Sequence, residues 1–323
     1  MFKINNLNYE DDQREQELLL MYLEHFELDK FPFTLTPNTE FYCALPNYND
    51  AINLIKISLD NGEGFIKIIG EVGTGKTLLC RKLLNELDEQ KYVTAYIANP
   101  NLDHASLYGV ILAELGVTYQ TQATQYELLK ILNTKLLELY QQNKHVVVIV
   151  DEAQALTDNI LEAIRLLSNL ETETSKLLQI VLFGQPELEK RLNKRNLRQL
   201  RQRIVFSYYL TPLNRAELDD YIFYRLRAAG YKYESLFSKL SRRLLFKATN
   251  GTPRLVNVLC HKALLASFGY NKRKVTTKAI LLAIKDTESS LTILKKHFIG
   301  VFVLLILIAI LGVESYYALR LIL

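Results

Sequence analysis

The octapeptide GEVGTGKT at residues 70–77 restricts the possible folds of this chain more than any other segment. It fits the pattern G-x-x-x-x-G-K-[ST] at every fixed position, follows the short β-prone run Phe65–Ile69 and opens a helical pattern. Glycines let backbone N–H groups turn towards phosphate oxygens, and a new helix presents its positive end to them. The sequence therefore predicts a strand, a phosphate-binding loop and a helix in succession. The predicted loop consists of Gly70, Glu71, Val72, Gly73, Thr74, Gly75, Lys76 and Thr77.

Two side chains at the end of this loop carry the expected chemistry. Lys76 supplies a cation for the β- and γ-phosphates of a nucleotide. Thr77 supplies a hydroxyl ligand for Mg²⁺. ATP and Mg²⁺ are therefore the expected cofactors.

An acidic pair, Asp151 and Glu152, follows the run HVVVIV at residues 145–150. Such a β-branched run is typical of a central parallel strand that is buried on both faces. Lone buried carboxylates are costly, so the pair is not expected to be a core feature, and we interpret it as functional. The alternative is a surface acidic pair. Asp151 is expected to join the Mg²⁺ shell and Glu152 to polarise the attacking water, which predicts hydrolysis of ATP.

A polar residue, Gln185, comes directly after the predicted strand Leu177–Phe183 and its glycine. In a parallel sheet the carboxyl ends of the strands face the nucleotide crevice. Gln185 is therefore a candidate to orient water or to sense the γ-phosphate, and the alternative is an ordinary turn residue.

Basic residues crowd the segment 190–203, and most of them are expected to form a solvated face. Arg201 and Arg203 are candidates to reach the γ-phosphate of a neighbouring subunit and to stabilise transition-state charge there. The same run is alternatively suited to DNA phosphates. Arg254 lies in the first turn of a predicted helix, where a cation opposes the helix dipole, which predicts a required contact such as the bound nucleotide.

Strands and helices alternate up to Pro212, which predicts βαβ units and an α/β fold with a parallel sheet. After Pro212 the pattern is helical only, with Asn214 and Glu217 as a capping pair and Thr252 as the cap of a later helix. The net charge of +4 is too small to require a nucleic-acid partner. The expected domains are an N-terminal extension at 1–20, an α/β nucleotide-binding domain at 21–211 and a helical lid domain at 212–290.

The apolar run FIGVFVLLILIAILGV, Phe298–Val313, contains no charged or strongly polar residue. It is slightly shorter than the roughly 20 residues that span a bilayer, and weakly polar residues beyond Glu314 extend it. A buried terminal helix would keep one polar face, and this run has none. Lys295 and Lys296 precede it, which favours a cytoplasmic location for the N-terminal part. The sequence therefore predicts a single-pass transmembrane helix at 297–317 and a short tail at 318–323.

Five motifs in order resemble the AAA+ ATPases of the general secretion pathway A (ExeA-type) family: GEVGTGKT, VVVIVDEAQ, LFGQPEL, LRQLRQRI and GTPRLVNVL. The segment Met21–Asn38 is also similar to the start of that family, so the resemblance covers residues 21–288. Within the family, the ATPases of mannose-sensitive haemagglutinin (MSHA) type IV pilus biogenesis are the most similar group. ExeA-type members carry a peptidoglycan-binding domain after the membrane segment, and the short tail here favours the pilus type.

The resemblance implies a P-loop AAA+ fold with a C-terminal helical lid and assigns roles residue by residue. Lys76 and Thr77 would be the Walker A pair, and Asp151 and Glu152 would be the Walker B pair. Gln185 would be sensor 1 and Arg254 would be sensor 2. The arginine finger would be Arg203 or Arg201.

The function implied by the resemblance is that of a membrane-anchored ATPase that supports assembly of a type IV pilus or of secretion machinery. It would work on the cytoplasmic side of a bacterial inner membrane, as a homo-oligomeric ring with the arginine finger supplied in trans. Its partners would be inner-membrane lipid and pilus or secretion assembly proteins. Two alternatives remain open, a DNA-binding AAA+ regulator of the transposition type and a nucleotide-gated scaffold with slow hydrolysis.

Overall fold

The computed structural model describes residues 20–98, 102–120, 122–173, 175–290 and 292–293. The chain divides into two compact units, with boundaries between Thr36 and Pro37 and between Thr211 and Pro212. The first unit, Pro37–Thr211, is an α/β unit. The second combines the residues before Pro37 with those after Thr211 and is helical.

The α/β unit is built on one sheet of five parallel strands, which confirms the predicted parallel sheet. The strands are β1 (Phe65–Gly70), β2 (Tyr92–Ile97), β3 (His145–Val150), β4 (Leu178–Gly184) and β5 (Phe206–Leu210). Their order across the sheet is β2-β3-β4-β1-β5. Because all strands run in the same direction, the segments that follow β1, β3 and β4 lie along one edge of the sheet.

Seven helices belong to this unit within the described residues. They are α1 (Pro46–Asp60), α2 (Lys76–Glu86), α3 (His104–Glu114), α4 (Gln125–Gln141), α5 (Asp158–Leu167), α6 (Pro186–Leu192) and α7 (Arg198–Arg203). Capping residues fix several of their first turns. Asp103 accepts from the Ser106 N–H before α3, and Thr124 forms a capping box with Glu127 before α4.

The run Ile204–Leu210 that follows the basic segment predicts the last strand, but the predicted start at Ile204 is wrong. The basic residues up to Arg203 continue as helix α7, and the Ile204 N–H still donates to the Arg201 carbonyl at 3.3 Å. The strand starts only at Phe206. Arg203 therefore ends a helix and does not enter a strand.

The core of the α/β unit explains the long apolar runs in the sequence. Every residue of β4 is buried, and so is every residue of β3 except His145. A charged residue, Lys67, is also buried in this otherwise apolar core, because its side chain in β1 is only 9% exposed. Its Nζ lies 2.8 Å from Oε1 of Glu189 on α6, and the Tyr209 hydroxyl of β5 bonds the same carboxylate. Pairing makes the buried ammonium tolerable.

The helical unit contains α8 (Arg215–Ala228), α9 (Lys239–Thr249), α10 (Pro253–Gly269) and α11 (Thr277–Lys285). The predicted capping of α8 is confirmed, because the Asn214 side chain accepts from the Glu217 N–H while the Glu217 carboxylate accepts from the Asn214 N–H. Thr252 stands at the N-cap of α10, but its side chain makes no capping hydrogen bond. Pro253, whose φ is fixed and which has no N–H, occupies the first turn instead.

The structure differs from the sequence analysis in where residues 20–36 belong. They pack with the helical unit, whereas the prediction assigned residues 21–36 to the α/β domain. Arg225, only 4% exposed, donates from Nε to the Pro32 carbonyl at 2.5 Å. The Asp29 N–H donates to the Ala229 carbonyl at 2.8 Å. These long-range bonds hold the N-terminal segment on α8.

Among the described residues, no helix is both long enough and apolar enough to cross a bilayer. The transmembrane helix predicted at 297–317 and the tail at 318–323 lie outside the described residues, as does most of the extension at 1–20.

Candidate active site

The predicted phosphate-binding loop lies between β1 and α2, in the predicted order of strand, loop and helix. Gly73 and Gly75 have φ values of 81° and 93°, a left-handed region that favours glycine. A Cβ atom on Gly75 would also come within 3.0 Å of the Tyr48 hydroxyl. Glycine is therefore required at position 75 both by its backbone conformation and by its neighbour.

Tyr48 on α1, which the sequence did not indicate as a site residue, stabilises this loop by a hydrogen bond. Its hydroxyl donates to the Thr74 carbonyl at 2.8 Å, and the Thr74 hydroxyl donates to the Glu71 carbonyl at 2.8 Å. Both Tyr48 and Thr74 are buried. The loop shape is therefore fixed by the protein itself, and no motif around Tyr48 would have indicated this role.

Lys76 begins α2 and is only 4% exposed. Its Nζ donates to the carbonyls of Gly70 at 2.9 Å and Glu71 at 3.1 Å, so the ammonium is folded back over the loop. Burial lowers the pKa of Lys76, while the carboxylates of Glu152 and Asp151 act in the opposite direction. The loop and the acidic pair therefore share one electrostatic environment.

Asp151 follows β3 directly and is 2% exposed. Burial raises the pKa of its carboxyl, and hydrogen bonds from the Thr77 hydroxyl and the Glu152 N–H partly offset this effect. A third group, the Tyr96 hydroxyl of β2, also interacts with this carboxyl. Asp151 and Thr77 thus lie together, as the sequence analysis expected of two ligands of one cation.

Glu152 has a left-handed backbone, with φ 51° and ψ 37°. A non-glycine residue pays for that conformation, and such residues concentrate at functional sites. Its carboxylate accepts a hydrogen bond from Gln185 Nε2 at 3.0 Å and another from Gln154 Nε2. The structure therefore brings the acidic pair and Gln185 together, and it adds Gln154, which the sequence analysis quoted only as part of the motif VVVIVDEAQ.

The residues present fit a nucleotide and Mg²⁺. Thr77 and Asp151 offer a hydroxyl and a carboxylate, the hard oxygen donors that Mg²⁺ prefers. The loop presents glycines in the conformations that turn N–H groups outward, next to the amino end of α2. Lys76 adds a cation at the same place.

The predicted arginines lie on two helices, Arg201 and Arg203 on α7 and Arg254 on α10. Arg201 is exposed on α7 and donates from Nη1 to Asn193 Oδ1 at 2.9 Å. Arg203 is half-buried and donates from Nη1 to the Ser168 hydroxyl at 2.6 Å. Arg254 is exposed in the first turn of α10, in the helical unit. The roles of these three residues stay predictions.

Asp158, the first residue of α5, is the centre of a second cluster of polar residues. Its Oδ1 accepts from Arg191 Nη2 at 2.7 Å, and its Oδ2 accepts from Lys194 Nζ and Asn196 Nδ2, each at 3.2 Å. These partners, Arg191 first, lower the pKa of Asp158 to about 2. Arg191 also donates from Nη1 to the Gln154 carbonyl at 2.9 Å.

We expect the Asp158→Asn variant to lose stability in a pH-dependent way. A carboxyl with a depressed folded-state pKa stabilises the protein above its unfolded pKa and loses this effect as the pH falls towards the folded value. Because the side chain is 28% exposed, solvent screening limits the expected loss to about 1 kcal/mol at pH 5. Thermal unfolding followed by circular dichroism should show the difference from wild type shrinking between pH 5 and pH 3. With Glu138→Gln as the exposed control, a difference that stays constant would contradict this account.

Comparisons with known proteins agree with this geometry. Residues 59–192 match the model of a family described as AAA domain. Over 263 residues the chain is 39% identical to General secretion pathway protein A of Aeromonas hydrophila, an alignment that covers 81% of this chain and 48% of the relative. The chain therefore spans about half the length of this curated relative.

Solved structures with low sequence identity share the fold. The ORC2 protein of Aeropyrum pernix gives a TM-score of 0.57 at 17% identity, with 78% of this chain and 72% of that chain covered. CDC6P from Pyrobaculum aerophilum gives 0.60 at 18% identity, with 78% and 71% covered. Drosophila ORC bound to DNA gives 0.59 at 17% identity, with 82% and 64% covered. At such identities the likeness concerns the fold alone.

Proposed function

We propose that the chain is an AAA+ ATPase and that it uses ATP hydrolysis to support assembly of secretion machinery, in particular of a type IV pilus. The observation that carries this proposal is the 39% identity to General secretion pathway protein A, which extends over 263 residues and so reaches beyond the AAA domain at 59–192. The order of the five motifs quoted above supports the assignment to the secretion family, and the finer assignment to pilus assembly rests on the resemblance to the MSHA group of ATPases.

In the proposed mechanism the loop and Lys76 bind the β- and γ-phosphates of ATP. Thr77 and Asp151 would hold Mg²⁺, which supplies charge neutralisation at the phosphates when bound. Glu152 accepts a hydrogen bond from the attacking water and polarises it. The 3.0 Å hydrogen bond from Gln185 Nε2 to the Glu152 carboxylate supports a role for Gln185 in orienting the same water.

The proposed active form is a ring of identical subunits in which an arginine of one subunit reaches the γ-phosphate held by the next. Arg201 and Arg203 are the candidates. The exposure of Arg201 supports it as the finger, and the bond from Arg203 to the Ser168 hydroxyl supports a positioning role for that residue. An arginine supplied in this way stabilises transition-state charge.

The proposed location is the inner membrane of a bacterium, with residues 297–317 as a single anchor and the ATPase unit on the cytoplasmic side. The apolar run Phe298–Val313 and the preceding Lys295 and Lys296 support this placement.

Crosslinking in membranes tests the function. Full-length Glu152→Gln protein is crosslinked, the membranes are extracted with carbonate, and the attached proteins are identified by mass spectrometry. We expect the protein in the membrane pellet with secretion or pilus assembly proteins attached in an ATP-dependent manner, and little attachment for wild type. A soluble protein would contradict the anchor. ATP-dependent retention of duplex DNA at low salt, with no envelope protein attached, would favour the DNA-binding alternative.

A further inference from the structure

The side chain of Gln154 lies between two residues of the proposed catalytic centre. Its Oε1 accepts a hydrogen bond from the Gln185 backbone N–H at 3.0 Å, at the start of α6. Its Nε2 donates to Oε2 of Glu152, the same oxygen that accepts from Gln185 Nε2. One amide therefore uses its acceptor on one residue and its donor on the other.

The Glu152 carboxylate needs such support because its backbone does not provide it. Glu152 sits in the left-handed region at the end of β3, outside any helix or strand that would orient its side chain. Its own N–H is taken by Asp151 Oδ1 at 2.9 Å. A general base works only when its oxygen is held within hydrogen-bonding reach of the proton that it accepts. The two glutamine amides are the groups that set the position of this oxygen among the described residues.

The backbone of Gln154 is in turn held by Arg191. Gln154 lies in the short 3₁₀ turn Ala153–Ala155, and its carbonyl accepts from Arg191 Nη1 at 2.9 Å. Arg191 is held by Asp158, with Nε at 3.2 Å and Nη2 at 2.7 Å from the same carboxylate oxygen. The planar guanidinium thus bridges the backbone of the 3₁₀ turn and the first residue of α5.

We infer that Gln154 is a positioning residue that holds the Glu152 carboxylate for catalysis, and that the Arg191–Asp158 pair holds Gln154. This inference rests on the proposed role of Glu152 as the residue that polarises water. Asp158 also binds Lys194 and Asn196, so these two residues are connected to the Glu152 carboxylate through Asp158, Arg191 and Gln154.

The variant Gln154→Glu separates the two bonds of this side chain. A glutamate keeps an oxygen for the Gln185 N–H, but it replaces the donor to Glu152 by a second carboxylate. Because displacement of a catalytic group by about 1 Å can reduce a rate roughly 100-fold, we expect kcat to fall between about 10- and 100-fold. The KM for ATP and the Kd of a fluorescent ATP analogue should stay within about twofold of wild type, since the loss concerns the chemical step.

Two further measurements distinguish positioning from a general effect on the fold. In the Glu152→Gln background, Gln154→Glu should reduce the residual kcat no further, because both substitutions act on one group. Arg191→Met should reduce kcat less than Gln154→Glu, again without a change in KM. Arg243→Met, an exposed arginine in the helical unit, is the matched control and should leave kcat unchanged.

A wild-type kcat for Gln154→Glu would overturn the inference, because it would show that Gln154 serves only as an acceptor for the start of α6. A kcat reduction of equal size in both backgrounds would overturn it as well. If Glu152→Gln itself keeps wild-type turnover, the proposed role of Glu152 fails, and this outcome is distinct from the other two.

Discussion

The Glu152→Gln variant is expected to bind ATP with unchanged affinity and to hydrolyse it far more slowly. Removal of a general base typically reduces the rate by 10²- to 10⁴-fold, and a reduction of about 10³-fold in kcat is expected here. The amide has nearly the shape of the carboxylate, but it cannot accept the proton of the attacking water in the same way. The hydrogen bonds from Gln185 and Gln154 hold the Glu152 carboxylate, whereas the neighbouring Asp151 carboxyl is engaged by the Thr77 hydroxyl and the Glu152 N–H.

Steady-state ATPase assays with phosphate detection measure this effect, and titration with a fluorescent ATP analogue measures the affinity. Glu138→Gln, an exposed residue on α4, is the matched control, since its side chain is 53% exposed and contacts Lys135 on the same helix. A kcat for Glu152→Gln within about threefold of wild type would be far smaller than the loss expected for a general base and would exclude that role.

The second large effect is expected from Lys76→Met, which should abolish measurable ATP binding at ordinary concentrations. A hydrogen bond to a charged group contributes about 1.5–3 kcal/mol, so loss of the ammonium from two phosphates corresponds to a loss of affinity of at least about 100-fold. Methionine keeps the length and apolar volume of the buried stem. The Gly70 and Glu71 carbonyls lose their donor, so thermal unfolding should be measured beside binding.

Lys82→Met on the same helix serves as the control for charge and composition. Its ammonium pairs with Glu86 at 2.9 Å, one turn away on the outer part of α2. If Lys76→Met binds the fluorescent analogue as well as Lys82→Met does, Lys76 is not a phosphate ligand.

Much of the α/β unit could be predicted from local pattern. The loop at residues 70–77 defines its own neighbours, because its function requires a strand before it and a helix after it. The run HVVVIV is typical of an interior strand, and the structure places β3 between β2 and β4. The strand order itself could not be read from the sequence, because pairing depends on contacts between distant segments.

The parts that could not be predicted depend on single long-range contacts. Arg225 holds the Pro32 carbonyl from almost two hundred positions away, which moves residues 20–36 to the helical unit. Gln154 was visible in the motif beside Glu152, but its partner Gln185 begins a different helix. Tyr48 reaches the Thr74 carbonyl from a helix that precedes the loop. Neither periodicity nor composition encodes such contacts.

Helix α6 shows how strongly this site depends on the number of residues and not only on their identity. Gln185 at its start contacts Glu152, Glu189 in its middle pairs with Lys67, and Arg191 near its end holds Asp158 and the 3₁₀ turn. All these contacts come from a helix of seven residues and its N-cap. One inserted or deleted residue would rotate everything beyond it by about 100° and shift it by about 1.5 Å. We therefore expect homologous chains to vary the exposed side chains of α6 but to keep its length, because a change in length would separate the contacts of Gln185, Glu189 and Arg191 from one another.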